Sequence, residues 1–363
     1  MLDNFTDCIM LLTSAYSGEE SVLDKAVNNY RIYERDASKQ QSCQSYGLLP
    51  EEKQVKLTYA RYWHGYLVVL RPLLFFLNLG EIQQLNSLVI FVSMALICIL
   101  LVRRKKAVYI IPYLLAYTYL TPMTISVSLQ NSTVFHTMSL ALLVLLAWYE
   151  KNWFHSHLWI YFMLVGMMTS YVDFLTYPVV SLAFPLIFYF ILEQEKEPLE
   201  NLLHLIFYSA MWAFGYIGMW ASKWCLSSLL TGKNYFTDAS EAVATRSGST
   251  AGDTVITYSD VIRRLNEFLQ DNVPFKLAIL FAIVCVILLL FCRRAWSRWS
   301  VSLMFLLLCS YPYIWAFGVK NHTYVHTLFT HRILGVVVLG ISCAVLPLLG
   351  GRPDFKQKRG RRS

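Results

Sequence analysis

Long apolar stretches recur along this chain, and each is free of charge at its centre. SLVIFVSMALICILLV at 87–102 and KLAILFAIVCVILLLF at 276–291 are examples. A helix needs about 20 mostly apolar residues to cross the hydrocarbon core of a bilayer. On that basis the pattern predicts about nine spanning helices. They lie near 85–102, 107–126, 134–149, 157–172, 176–193, 202–226, 275–292, 299–318 and 333–349. The third and fourth are short and read as tilted or tucked into the bundle. The fold class is therefore all-α, a polytopic transmembrane helical bundle with amphipathic helices and an outer loop.

Two sizeable polar segments interrupt the pattern. Residues 1–82 form an N-terminal segment with an amphipathic stretch near Phe5–Leu12, and residues 231–273 form a loop with a Ser/Thr/Gly-rich middle, TRSGSTAGDT. In the second half of that loop, YSDVIRRLNEFLQDN, Val261, Leu265, Phe268 and Leu269 share one helical face. This spacing predicts a short helix lying at the interface, with Ser259 as its cap. The bundle itself occupies 83–350, and a basic tail follows at 351–363.

Charge placement gives an orientation. Arg103, Arg104, Lys105, Lys106, Lys151, Lys196, Arg293, Arg294 and Arg298 fall on one set of connections, as does the tail with its six basic residues. The short connections on the other side carry Lys320 and Arg332. The positive-inside rule puts the first set in the cytoplasm. The expectation is an integral plasma-membrane protein, bacterial, with the N-terminal segment outside and the C-terminus inside. An outside N-terminus with no leader-like stretch in MLDNFTDCIM suggests a chain that lacks one preceding helix.

Composition agrees with this reading. Of 363 residues, 56% are hydrophobic and only 15% charged, against roughly a quarter charged in soluble domains. The net charge of +8 is loop charge that sets orientation, so nucleic acid is not an expected partner. The eight cysteines form no zinc pattern. Cys8 and Cys43 can pair in an oxidising compartment or stand as two free thiols. Sequons at Asn4, Asn131 and Asn321 all map to the outer side.

The candidate chemistry gathers on that side. In YARYWHGYLVVLRPLLFFL at 59–77, Arg61, His64, Val68 and Arg71 would share one face of a helix. Guanidinium groups beside a membrane suit phosphate oxygens, or they snorkel to lipid headgroups. VKNHTYVHTLFTHRI at 319–333 packs three of the eight histidines and Arg332 into one outer turn, and the charge of Arg332 should point to the interface. Asp173 in SYVDFLTYP is flanked by apolar side chains; burial would raise its pKa and suit it to act as a base. Asp3 and Asp7 stand four apart in LDNFTDCIM. Each of these acids can equally serve as a structural partner for the arginines. Nucleotide-binding, nucleophile-elbow and zinc-protease signatures are absent from the sequence.

An acidic first outer segment (LDNFTDCIM), an outer amphipathic segment (RYWHGYLVVLRPLL), many apolar helices and a basic late outer loop (NHTYVHTLFTHR) together resemble the GT-C superfamily. The resemblance implies a membrane glycosyltransferase that moves a sugar from a polyprenyl-phosphate donor to a glycan or lipid acceptor at the cell surface. It implies that Asp3 or Asp7 is the base or metal ligand, and that Arg332 and His326 hold phosphate. A divalent cation is the one cofactor it leaves open, and membrane lipids are further partners. The acids are spaced D-x-x-x-D rather than adjacent, with Glu19–Glu20 as a substitute pair. The alternatives are a transporter or flippase, a polysaccharide polymerase, and a non-catalytic subunit of a polysaccharide system. Transporters favour midplane sites in broken helices and inverted repeats, which this sequence does not display.

Overall fold

The computed structural model describes residues 4–34, 51–193, 197–291 and 298–349. The principal helices, in chain order, begin with α1 (Asn4–Ala15), α2 (Val22–Asn28), α3 (Leu67–Phe76), α4 (Leu79–Arg103) and α5 (Ile110–Tyr119). The middle of the chain forms α6 (Leu129–Trp148), α7 (Leu158–Val172), α8 (Val179–Leu192), α9 (Pro198–Thr231) and α10 (Tyr235–Ser247). The last third forms α11 (Tyr258–Gln270), α12 (Val273–Phe291), α13 (Trp299–Leu308), α14 (Tyr311–Gly318), α15 (Lys320–Val325) and α16 (Gly335–Ala344). Two short antiparallel hairpins decorate this helical bundle. In one, β1 (Arg31–Glu34) pairs with β2 (Gln54–Leu57), with Arg31 opposite Leu57; the other is formed by β3 (Thr250–Ala251) and β4 (Thr254–Val255).

Among the described residues, six helical stretches are long and apolar enough to cross a membrane: Leu79–Arg103, Leu129–Trp148, Pro198–Thr231, Val273–Phe291, Trp299–Gly318 and Thr327–Leu349. The chain is thus a membrane protein. The other three expected spans are shorter helices. The 107–126 stretch breaks because Thr121, just before Pro122, takes a left-handed conformation at φ 59°; a residue before proline is driven out of the α region. The 157–172 and 176–193 stretches give α7 and α8, of 15 and 14 residues.

Helix α8 is the axis of the bundle. Every residue from Val179 to Ile191 is buried, against α6, α7, α9, α13 and α16. Its apolar character on all sides therefore serves protein packing. Helix α12 is the opposite case, because only Ala278 and Cys285 are buried. Helices α7 and α9 meet through reciprocal glycines. A Cβ on Gly166 would lie 2.1 Å from the Trp212 carbonyl oxygen, and one on Gly215 would lie 2.1 Å from that of Met163. Small residues let backbones approach this closely in membrane bundles.

Polar contacts sort the connections into two ends. At one end Arg104 pairs with Glu150, and His155 approaches Glu193. At the other, the Gly65 amide donates to Tyr171 O, Lys320 donates to Ser249, and His322 meets Leu175 O. Helix α11 forms as the spacing predicts, burying Val261, Leu265 and Leu269. Its cap, however, is Thr257, which exchanges bonds with Asp260 in a capping box, and Phe268 stacks on His331 at 4.6 Å.

Candidate functional site

The end of the bundle opposite Arg104 holds most of the residues singled out by sequence, in roles that differ from one to the next. Asp3 lies outside the described residues. Asp7 caps α6: its carboxylate accepts the amides of Leu129 (2.9 Å) and Gln130 (2.8 Å), where the positive end of the helix dipole favours an anion. Arg61 and His64 do not share a helical face with Arg71, because α3 begins only at Leu67. The segment before it turns onto α7 instead. His64 is left-handed at φ 53°, and Gly65 sits so close to Tyr171 that a Cβ would meet its ring at 2.2 Å.

Arg61 forms a two-pronged ion pair with Asp238 of α10, at 3.0 and 2.8 Å. His64 is 2% exposed and bonds to Tyr59 O at 2.9 Å; burial lowers its pKa to about 3, so the imidazole is neutral. Arg71 is exposed and donates to Thr13 O at 3.1 Å. His326 stacks on Phe329, with its ring centre 4.7 Å from that of His322. Cys8 is disulfide-bonded rather than a free thiol, and Cys43, with which it could pair, lies outside the described residues. Asn131 is buried with its amide on Ser128, which closes that sequon to modification in this fold.

Arg332 points into the bundle rather than to the interface. It is 2% exposed, and in place of the expected anion it meets oxygens at helix ends. Nε donates to Leu120 O at 3.2 Å, Nη1 to Leu328 O at 3.3 Å, and Nη2 to Thr121 Oγ1 at 3.1 Å. The carbonyl at the end of α5 carries partial negative charge that welcomes a cation.

Asp173 is the group with chemistry to spare. It ends α7, and its Oδ1 accepts from Thr176 N at 2.9 Å and Thr176 Oγ1 at 2.6 Å. This is the side-chain turn expected of Asp at a helix exit. Its Oδ2 is buried without a hydrogen-bond partner, and the residue is 3% exposed. Desolvation raises its pKa from 3.8 to about 6, although the Thr176 bonds act to lower it. The backbone around it is strained: Leu175 is left-handed at φ 64°, and the buried His322 holds its carbonyl at 2.8 Å. Non-glycine residues in this region cost of order 1–3 kcal/mol and cluster at functional sites. Burial, with the positive charge of Arg246 adding to it, lowers the His322 pKa to about 3.

A cation that does not stand out in the sequence acts on the same surroundings. Arg246, at the end of α10, places its guanidinium 5.4 Å from the Tyr62 ring centre, and its Nη1 is buried without a hydrogen-bond partner. Asp173 and Arg246 both lie within electrostatic reach of Tyr62 and of Tyr216. An acid with an open oxygen and a guanidinium with an open nitrogen thus act on the same two buried tyrosines. Tyr177 in turn lies within reach of both Asp173 and Arg332. Asp173, Arg332 and His326 therefore share one end, yet neither Asp173 nor Arg332 has an ion-pair partner among the described residues. Asp173 lies covered, and grooves of about 650, 500 and 690 Å³ are lined by other side chains. No group of three or more His, Cys, Asp or Glu able to hold a metal occurs among the described residues.

No family model, curated protein or solved structure matches the chain.

Proposed function

We propose that the chain is a membrane glycosyltransferase that moves a sugar from a polyprenyl-phosphate donor to a glycan or lipid acceptor, with its chemistry beside Asp173. The observation that supports this reading is one buried acid, its Oδ2 open, and one guanidinium, its Nη1 open, both within electrostatic reach of Tyr62 and Tyr216. Transfer from a phosphate ester needs those two parts. A base takes the proton of the acceptor hydroxyl as its oxygen attacks the anomeric carbon. The bond from that carbon to the phosphate oxygen breaks, and the electron pair leaves on the phosphate. With a pKa near 6, Asp173 is ionised at neutral pH yet basic enough for the task. Arg246 is suited to the charge that grows on the departing phosphate, and preorganised cations of this kind are often the largest catalytic contribution. In this proposal Asp173 takes the role that the resemblance assigned to Asp3 or Asp7, while Arg332 and Asp7 hold helix ends in position.

The Lys/Arg asymmetry supports a site that faces away from the cytoplasm. The test is sugar transfer by the full-length protein in membranes supplied with polyprenyl-phosphate sugars. Arg246→Ala is expected to slow transfer at least about tenfold, the value of one charge-assisted bond, and Arg246→Lys to restore it partly. Full activity in both Arg246→Ala and Asp173→Asn, or movement of the intact lipid-linked sugar across the bilayer without transfer, would replace the enzyme reading with the transporter one.

A further inference from the structure

A second place on the same end carries chemistry that the proposed reaction does not use. Between α1 and α3 runs a groove of about 690 Å³, lined by Leu11, Leu12 and Tyr16 on one side and by Arg71, Leu74 and Phe75 on the other. It is mostly aliphatic and aromatic, and its one cation is Arg71, the single charge in LVVLRPLLFF. Arg71 donates one bond, to Thr13 O, and meets no carboxylate among the described residues. A second guanidinium stands behind it. Arg31 lies 5.0 Å from the Tyr59 ring centre, and its Nη1 is buried without a hydrogen-bond partner. Both cations act on Tyr66. An apolar trough with uncompensated positive charge at its edge complements an anionic amphiphile, in which the chain takes the trough and the phosphate takes the guanidinium.

The surroundings argue for a bilayer source. Helix α3 leaves Val68, Val69, Phe75 and Phe76 at 62–81% exposure, apolar surface of the kind that suits lipid in a membrane protein. The groove is also walled off from Asp173 by packed rings, with Tyr66 against Phe174 at 5.3 Å, so a molecule seated there would not react. We infer that this groove seats a bilayer phospholipid, its phosphate on Arg71 and one chain along Leu11, Leu12 and Leu74.

The test uses the full-length protein in uncharged detergent, with binding read by native mass spectrometry and thermal shift. The probes are short-chain phosphatidylglycerol, the matching diacylglycerol, a short prenyl phosphate and inorganic phosphate. Phosphatidylglycerol is expected to bind as one copy and to raise the melting temperature. Arg71→Gln should weaken it at least about tenfold. Ala15→Trp, an exposed groove-lining position, should block it while leaving the guanidinium in place, which keeps the test valid if Arg71→Gln fails to fold. Equal binding of diacylglycerol or of inorganic phosphate, binding of prenyl phosphate in preference to phosphatidylglycerol, or unchanged binding in both variants overturns the inference.

Discussion

Replacing Asp173 with Asn should make the protein more stable at neutral pH and unable to catalyse transfer. The stability effect follows from the burial of the carboxyl. Its pKa is raised from 3.8 to about 6, roughly two units, or about 3 kcal/mol at 1.36 kcal/mol per unit. A raised carboxyl pKa works against the fold as pH climbs. Below pH 3.8 both states hold the proton. Between 3.8 and about 6 the unfolded chain releases a proton that the folded chain keeps, so stability falls as pH rises through that window. Above about 6 the penalty is complete. Asn resembles the protonated acid: its oxygen can still accept from Thr176 N and Oγ1, and its amide is no worse placed than a carboxylic OH where Oδ2 now lies without a partner. The variant should therefore unfold several degrees above the parent at pH 7.5, with the gap closing by pH 4. The assay is thermal unfolding in detergent across pH 4–8, run beside sugar transfer. A variant less stable than the parent at pH 7.5, with an unchanged pH slope, would show that Asp173 is not the strained acid described here.

Three further outcomes follow from other parts of the fold. Gly166→Leu should lower the yield of folded protein by fluorescence-detected size exclusion, because a side chain at 2.1 Å from Trp212 O forces α7 from α9; Gly218→Leu, with open space at its Cβ, is the control that should not. Arg332→Met should cost about 1–3 kcal/mol by removing the donors that Leu328 O and Thr121 Oγ1 receive and one of the two that reach Leu120 O, read as a lower melting temperature; an unchanged value would remove its structural role. Cysteine labelling in intact cells should mark Ser247→Cys and spare Ser363→Cys, and equal labelling of both would overturn the orientation.

The long lipid-facing spans were legible because hydropathy and length alone define them. Val273–Phe291 is almost wholly exposed to whatever surrounds the bundle, so its composition reflects the solvent directly. The breaks were harder to see, although Pro122 and Pro312 mark two of them in the sequence. Helix α8 was legible as apolar and not as an axis, since burial in protein and burial in lipid select similar residues. The site was only half legible. Asp173 stood out as an acid among apolar neighbours, and its burial follows. Arg246 did not, because TRSGSTAGDT reads as a polar loop and its partners Tyr62 and Tyr216 come from distant stretches. Arg332 drew attention as a charge that opens an apolar helix, but its partners are mostly main-chain carbonyls, which no residue type announces. The helical reading of 59–77 failed on a tertiary fact, the seating of Gly65 against Tyr171.

The shortness of α7 and α8 fixes a depth. At 1.5 Å per residue, their 15 and 14 residues span about 22 and 21 Å, against a hydrocarbon layer of about 30 Å. Their far ends are tied to the charged end of the bundle through His155 and Glu193. Each helix is therefore roughly 8 Å shorter than that layer, and the turn that joins them begins at Asp173. Helix α9, with 34 residues, is about 51 Å long, well beyond that thickness. For the transfer proposed above, helices this short would set the acid nearer to a lipid-borne phosphate than to bulk water, so that the donor would seat before the acceptor.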